Sequence, residues 1–197
     1  MNNEAILRIL LPLLLVTFAM HRGYYVRKHG PEQDTLKKRE EGWTSRIAGI
    51  LGLLGFIAVL IYAIHPGWLA WASLPVPLWL RWTGIGVAFL GFGLLQWAQN
   101  TLGRNWSDTP RMIKEQALVI SGPYQFIRHP IYTAFLLILS SLLLVSSNWL
   151  IGLAWISMAV IEIASRIGFE EQLMLENFGD RYRAYMERTG RLLPRIV

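Results

Sequence analysis

The chain has 197 residues, of which 53% are apolar and 16% charged, with a mean hydropathy of +0.36; a soluble domain carries about 25% charged residues. This balance argues against an ordinary water-soluble globule, and the absence of cysteine excludes disulfides, Cys-ligated zinc, iron–sulfur clusters and a thiol nucleophile. The net charge of +6 gathers at the ends of apolar runs, where membrane topology places basic residues, so it does not call for nucleic acid.

A membrane-crossing helix needs roughly 20 apolar residues, with a lower limit of about 17. The first candidate, Ala5 to Met20, is interrupted only by Arg8 and Pro12. His21-Arg22 follows it rather than a small-residue cleavage site, so it reads as a retained helix and not a signal peptide. The second, Ile47 to Ile64, is uncharged and carries Gly49, Gly52 and Gly55, a spacing that lets a neighbour approach closely. His65-Pro66-Gly67 ends it, and Trp68, Trp71, Pro75, Pro77 and Trp79 make a proline-broken aromatic connection suited to the membrane interface. The third, about Trp82 to Ala98, contains Gly84, Gly86, Gly91 and Gly93. From Ile131 to Ser165 the one charged residue is Glu162. A single helix of that length would overshoot a bilayer at about 1.5 Å per residue, so Ser146-Ser147-Asn148 predicts a turn between helices Ile131 to Val145 and Trp149 to Ser165. The expected class is an all-α polytopic membrane bundle of about five transmembrane helices.

Lys and Arg number seven in 22–46, four in 100–130 and six in 166–197, against Arg8 and Arg81 on the opposite side. The positive-inside rule then puts the N-terminus outside and the C-terminus in the cytoplasm. Residues 1–99 read as three N-terminal helices with a basic cytoplasmic loop at 22–46, polar and partly mobile over 27–46. Residues 100–197 read as a chemistry-bearing region with a helical hairpin and a cytoplasmic tail.

Polar residues are costly in a membrane, so their clusters are the candidate sites. One cluster is Ser121-Gly122-Pro123-Tyr124-Gln125-Phe126-Ile127-Arg128-His129-Pro130-Ile131-Tyr132. Pro130 suits a first helical turn, and Arg128, His129 and Tyr132 gather at a helix start that favours an anion such as a carboxylate. The other cluster is Glu162, Arg166, Glu170 and Glu171. The first three are spaced by four and share a helical face, while the adjacent carboxylates at 170 and 171 call for a cation. The tail, with Leu173, Phe178, Tyr182 and Tyr185, fits either an interfacial helix or a lid over a site at the membrane surface. No phosphate loop and no paired metal-ligand spacing occurs, so no metal is expected.

Three ordered motifs carry a resemblance: Leu102-Gly103-Arg104-Asn105-Trp106-Ser107; Ser121-Gly122-Pro123-Tyr124 leading to Arg128-His129-Pro130-Ile131-Tyr132; and Arg166 followed by Glu170-Glu171, Phe178-Gly179, Tyr182, Tyr185 and Arg191 to Pro194. Through them the sequence resembles the isoprenylcysteine carboxyl methyltransferase family of integral membrane enzymes, which takes in related phospholipid methyltransferases. The resemblance covers the chain from about residue 100 onward. It implies S-adenosylmethionine as methyl donor, held in a cytoplasmic pocket of the C-terminal helices and tail, and a lipophilic or lipidated acceptor. Carried onto this chain, Val119, Gly122, Tyr124, His129 and Tyr132 would contact the cofactor. Glu170 or Glu171 would hold its ribose hydroxyls or amino group. Arg128 and Arg166 would stand near the cofactor carboxylate or an anionic acceptor.

Methyl transfer from a sulfonium is an in-line displacement in which alignment does most of the work. A carboxylate acceptor needs no general base, whereas an amine or hydroxyl does, and Glu162 is then the candidate. An isoprenylcysteine carboxylate, a phospholipid amine, a quinone-like lipid and a small amphiphile all fit this reading. Two alternatives stand beside it. Membrane sterol and steroid reductases look similar in this C-terminal region, which would imply NADPH. A non-catalytic scaffold would explain the helices but not the clustered charges.

Overall fold

The computed structural model describes residues 2–29, 35–38, 42–107, 111–113 and 116–195. Of the polar loop expected over 27–46, residues 30–34 and 39–41 lie outside the described residues. The elements are α1 (Asn3–His29), β1 (Thr35–Lys38), α2 (Trp43–Ile64), α3 (Leu78–Leu102), β2 (Arg111–Ile113), α4 (Pro130–Ser146), α5 (Trp149–Phe178) and α6 (Asp180–Arg188). Short 3-10 segments occupy Pro66–Ala72, Gly103–Asn105 and Gly122–Gln125. The helical-bundle expectation is met, with one addition: β1 and β2 pair antiparallel, Thr35 opposite Ile113 and Lys38 opposite Arg111.

Helices α1, α2, α3 and α5 are long and apolar enough to cross a membrane. Helix α4, with 17 residues, is about 25 Å long and lies at the lower limit for a span. Three helices outrun their apolar stretches at the same end of the bundle, reaching His29, Leu102 and Phe178. What stops two of them is backbone chemistry, not the end of the hydrophobic run. Gly103 and Gly179 take φ of 53° and 52°, a conformation in which a Cβ is disfavoured and a helix terminates.

The predicted turn between α4 and α5 is present. Ser147 adopts the left-handed conformation at φ 52° and closes α4. Asn148 then caps α5 by accepting a hydrogen bond from Ile151 N at 3.2 Å. The aromatic connection docks onto this corner: Asn148 Nδ2 donates to Leu69 O at 3.0 Å and Leu74 N donates to Ser147 O at 2.7 Å.

Lipid removes the hydrophobic drive between helices, so close packing over small residues takes its place. A Cβ on Gly84 would stand 2.8 Å from Leu144 Cβ, and one on Gly91 would stand 2.7 Å from Ile138 Cγ1 and 3.2 Å from Ala134 O. With buried Ala88, Leu95 and Ala98, these glycines form the stripe of α3 that lies on α4. Gly55 of α2 likewise admits the indole of Trp155 from α5, 2.9 Å from where its Cβ would be. Gly49, Gly86 and Gly93 meet nothing within 4 Å, so the glycine pattern is part contact and part open surface. The buried core joins Leu7, Leu11 and Leu15 to Val59, Leu139, Leu142, Ile151 and Trp155.

The two basic residues on the sparsely charged side are both engaged with the backbone. Arg8 Nη2 donates to Ala63 O at 3.0 Å. Arg81, 6% exposed, donates from Nε and Nη2 to Val145 O at 3.1 and 3.0 Å and pairs with Glu4 at 2.5 Å. These are the terminal carbonyls of α2 and α4, which lack intrahelical donors and carry the negative end of the helix dipole.

The contrast between lining and open glycines is testable. Gly91→Ala is expected to lower stability by about 1–3 kcal/mol through overpacking, whereas Gly93→Ala is expected to be neutral or slightly stabilising. Thermal unfolding of the two variants in the same detergent checks this.

Candidate functional site

A pocket opens where the ends of α1, α3 and α5 meet the start of α4. Its polar wall includes Arg22, Asn105, Ser107 and Gln116. Its aromatic wall is Trp106, Tyr124, Tyr182 and Tyr185, and its apolar side is Ile131, Phe135, Leu173 and Met174. Arg128, His129, Tyr132, Arg166 and Glu170 also face it, as do Leu118 and Val119. Seven of the ten residues named from sequence therefore line one cavity: Val119, Tyr124, Arg128, His129, Tyr132, Arg166 and Glu170. Gly122, Glu162 and Glu171 lie outside its lining.

The three outside have visible structural work. Gly122, at φ 59°, lets the 3-10 turn press on α3, where a Cβ would stand 2.7 Å from Thr101 Oγ1. Glu162 is on α5, 2.6 Å from Arg166 Nε, as the spacing of four predicts. Glu171 is 4% exposed and gathers cations. It accepts from Arg128 Nε at 3.0 Å and from Arg191 Nε at 3.2 Å, with a second, closer contact from Arg191 Nη2. His129 Nε2 stands 3.5 Å away.

Around that carboxylate the tail folds back onto the start of α4. Arg128 N donates to Gly190 O at 2.8 Å, His129 N to Arg191 O at 3.1 Å, and Gly190 N to Phe126 O at 3.2 Å. Thr133 Oγ1 donates to Leu192 O at 2.6 Å. Arg128 Nη1 reaches Met186 O at 3.1 Å and Thr189 O. Of the two roles that the sequence allowed for the tail, the folded-back one is present. The N–H groups of residues 128 and 129, which lie just before α4, are spent on these tail carbonyls.

Glu170, one residue before the buried carboxylate, points the other way around α5 and faces the pocket. It accepts from Tyr132 Oη and lies 3.4 Å from His129 Nδ1. The rings of His129 and Tyr132 stack at 5.6 Å. Burial alone would push the His129 pKa down, but Glu170 and Glu171 outweigh it and hold the imidazole above the ordinary histidine value. Its Nε2 is buried and makes no hydrogen bond among the described residues. Tyr185 donates from Oη to Tyr124 O at 2.6 Å, and burial pushes its pKa up to about 12, so it remains a protonated donor at neutral pH.

The motif at 102–107 builds a wall that residue types alone did not assign to the site. Asn105 Oδ1 accepts from Ala117 N at 2.9 Å and its Nδ2 donates to Leu102 O at 3.2 Å. One side chain thus fixes the 116–119 stretch against the end of α3. Arg22, Asn105, Trp106, Ser107, Gln116, Tyr182 and Tyr185 were not named as site residues from sequence. The available signal was their membership in the ordered motifs for all but Arg22 and Gln116, which are brought in by the fold alone.

Two outcomes follow. Gly190 has no room for a side chain, since a Cβ would collide with Leu193 O at 1.7 Å. Gly190→Ala is therefore expected to release the tail and weaken ligand binding more than it lowers the melting temperature, as read by calorimetric titration beside thermal unfolding. For His129, a raised folded pKa contributes stability that is complete below the unfolded value of about 6.5 and is lost as pH rises through the folded value. The stability gap between the unmodified protein and His129→Gln is expected to narrow as pH increases above 6 in thermal melts.

Known proteins resemble this chain in sequence and in fold. Residues 84–176 match the model of the isoprenylcysteine carboxyl methyltransferase (ICMT) family, which bears out the resemblance read from the sequence. Protein-S-isoprenylcysteine O-methyltransferase B of Arabidopsis thaliana is 26% identical over 192 residues, covering 95% of this chain and 93% of its own length. Methanethiol S-methyltransferase 1 of Bradyrhizobium diazoefficiens is 29% identical over 146 residues, covering 63% of this chain and 48% of its own. The solved structure of the eukaryotic intramembrane Ras methyltransferase ICMT superposes with a TM-score of 0.69 at 21% identity, covering 98% of this chain and 68% of that one. The shared fold is that of an integral, multi-pass membrane protein.

Proposed function

We infer that this chain, whose residues 84–176 carry the ICMT family pattern, is an integral membrane methyltransferase that moves a methyl group from S-adenosylmethionine to a lipophilic acceptor. The observation that carries the reading is one pocket with three kinds of wall: cations with polar side chains, aromatic rings beside a carboxylate, and an apolar side toward the bundle. A zwitterionic nucleoside donor and a lipid-soluble acceptor need those three surfaces together.

The residues fit the donor. Glu170 offers a partly engaged carboxylate for ribose hydroxyls or the cationic amino group. Arg22 offers positive charge for the carboxylate, Trp106 and the tyrosines offer flat surfaces for a purine, and His129 Nε2 is a buried nitrogen with a hydrogen bond still to make. The donor brings a methyl group already activated on a sulfonium. The chain's own work is to hold both partners in line, exclude water and steady charge, and positioning of this kind supplies several kcal/mol.

The place of Glu162 bears on the acceptor. Glu162, the sequence candidate for a base, is outside the lining and tied to Arg166. That arrangement suits an acceptor that arrives ionised, such as an isoprenylcysteine-like carboxylate, with Arg166 steadying it. Arg128 and Glu171 act as positioning residues that fix the start of α4 and the tail, and Gly122 as a close-packing residue. The acceptor enters sideways between helices and the donor from the cytoplasm, with the N-terminus outside.

Titration with S-adenosylhomocysteine tests the donor site and NADPH serves as the control; tight binding of NADPH alone would overturn the reading. His129→Ala and Glu170→Ala are each expected to weaken binding about 10–100-fold, the loss of a hydrogen bond to a charged group, in protein that still folds. Incubation with radiolabelled S-adenosylmethionine is expected to place label in the lipid or lipidated-protein fraction of membranes, in base-labile form for a carboxyl ester.

A further inference from the structure

Next to the pocket, beside Trp106, four polar side chains form a hydrogen-bonded set between α1 and α3. His21 Nε2 donates to Gln96 Oε1 at 2.9 Å. Gln96 spends its amide hydrogens on Tyr25 Oη at 2.8 Å and Asn100 Oδ1 at 2.9 Å, and Tyr25 Oη donates to Asn100 Oδ1 at 2.7 Å. The order of donors is fixed by the set itself: with both Gln96 hydrogens used, its carbonyl oxygen is left to accept. Each helix supplies an i, i+4 pair, 21 with 25 and 96 with 100, so both pairs stand on facing stripes.

Such a set has a cost in a membrane bundle, where each polar group must find a partner away from lipid. The packing of α1 does not require it, because Leu7, Leu11 and Leu15 already seat that helix on the core. Its position suggests what it does. Tyr25 is 2% exposed and its ring meets the Trp106 indole edge to face, centroids 5.9 Å apart. Trp106, itself 5% exposed, is a wall of the pocket, and Arg22, adjacent to His21, faces the same pocket.

We propose that the His21–Gln96–Tyr25–Asn100 set is a positioning device that holds Trp106 and Arg22 at the donor pocket and so brings α1 into cofactor binding. The proposal rests on the donor reading above. Tyr25 fixes the indole from behind, and the ring of hydrogen bonds fixes Tyr25 and the turn of α1 that carries Arg22. None of the four lines the pocket, so each acts through another residue.

The test is a double-mutant cycle on S-adenosylhomocysteine affinity in the detergent-solubilised full chain, with melting temperature measured in parallel. Gln96→Leu keeps the volume and breaks the set; its Kd is expected to rise about tenfold, the scale produced by a small misplacement of a binding wall. Trp106→Ala is expected to weaken binding on its own. The double variant is expected to lose less than the sum of the two single losses, because Trp106 is one of the two residues through which the set acts. A merely structural role would lower the melting temperature and leave the two effects additive. Should Gln96→Leu fail to fold, Tyr25→Phe removes one hydroxyl and keeps the ring on Trp106; a threefold or larger rise in Kd, again less than additive with Trp106→Ala, supports the proposal. Unchanged affinity in the folded variant, or additive losses, overturns it. Absence of binding by the unmodified protein would instead remove the donor reading, and this inference with it.

Discussion

Everything at the pocket hangs on one buried carboxylate. Glu171 sits among Arg128, Arg191 and His129, so three chain segments far apart in sequence converge on a single charge: the start of α4, the end of α5 and the tail. Charges taken out of water are tolerated only when their lone pairs and protons are met, and here both guanidinium groups meet them. Removing the carboxylate would leave two cations facing one another, which is why breaking such a cluster costs more than its net contribution to stability. The neighbouring Glu170 faces the pocket while Glu171 does the holding.

The rest of the bundle supports that junction with unremarkable means. Small residues let α3 lie on α4 and α2 on α5, and the core joins α1, α2, α4 and α5 through aliphatic side chains. At the end opposite the pocket, Arg8 and Arg81 satisfy helix-terminal carbonyls. Arg81 is also paired with Glu4, so one of those two positive charges is offset at that end.

The spans and the turn at 146–148 were legible because they depend on local composition: an uncharged run, then Ser-Ser-Asn. Helix ends were less so, since the outward extension of α1, α3 and α5 depends on where a glycine permits termination and on contacts at the pocket. Within the site, the Glu162–Arg166 pair could be read from a spacing of four. The opposite roles of Glu170 and Glu171 could not, because a turn of about 100° between adjacent helical residues decides which one faces the pocket, and that depends on how α5 is rotated in the bundle. Arg22 carried no local signal at all. It is a basic residue at the end of a span, indistinguishable in sequence from a topological anchor, until α1 is laid beside α3.

The capping of α4 by Gly190 and Arg191 also orders events in time. Translation releases the five apolar helices before the segment that closes the pocket. The bundle can therefore be threaded into the bilayer and packed while the backbone N–H groups of residues 128 and 129 still face water. Closure of the pocket is thereby separated from insertion: the membrane sorts the helices first, and the last stretch of chain, returning from the aqueous side, completes the pocket wall.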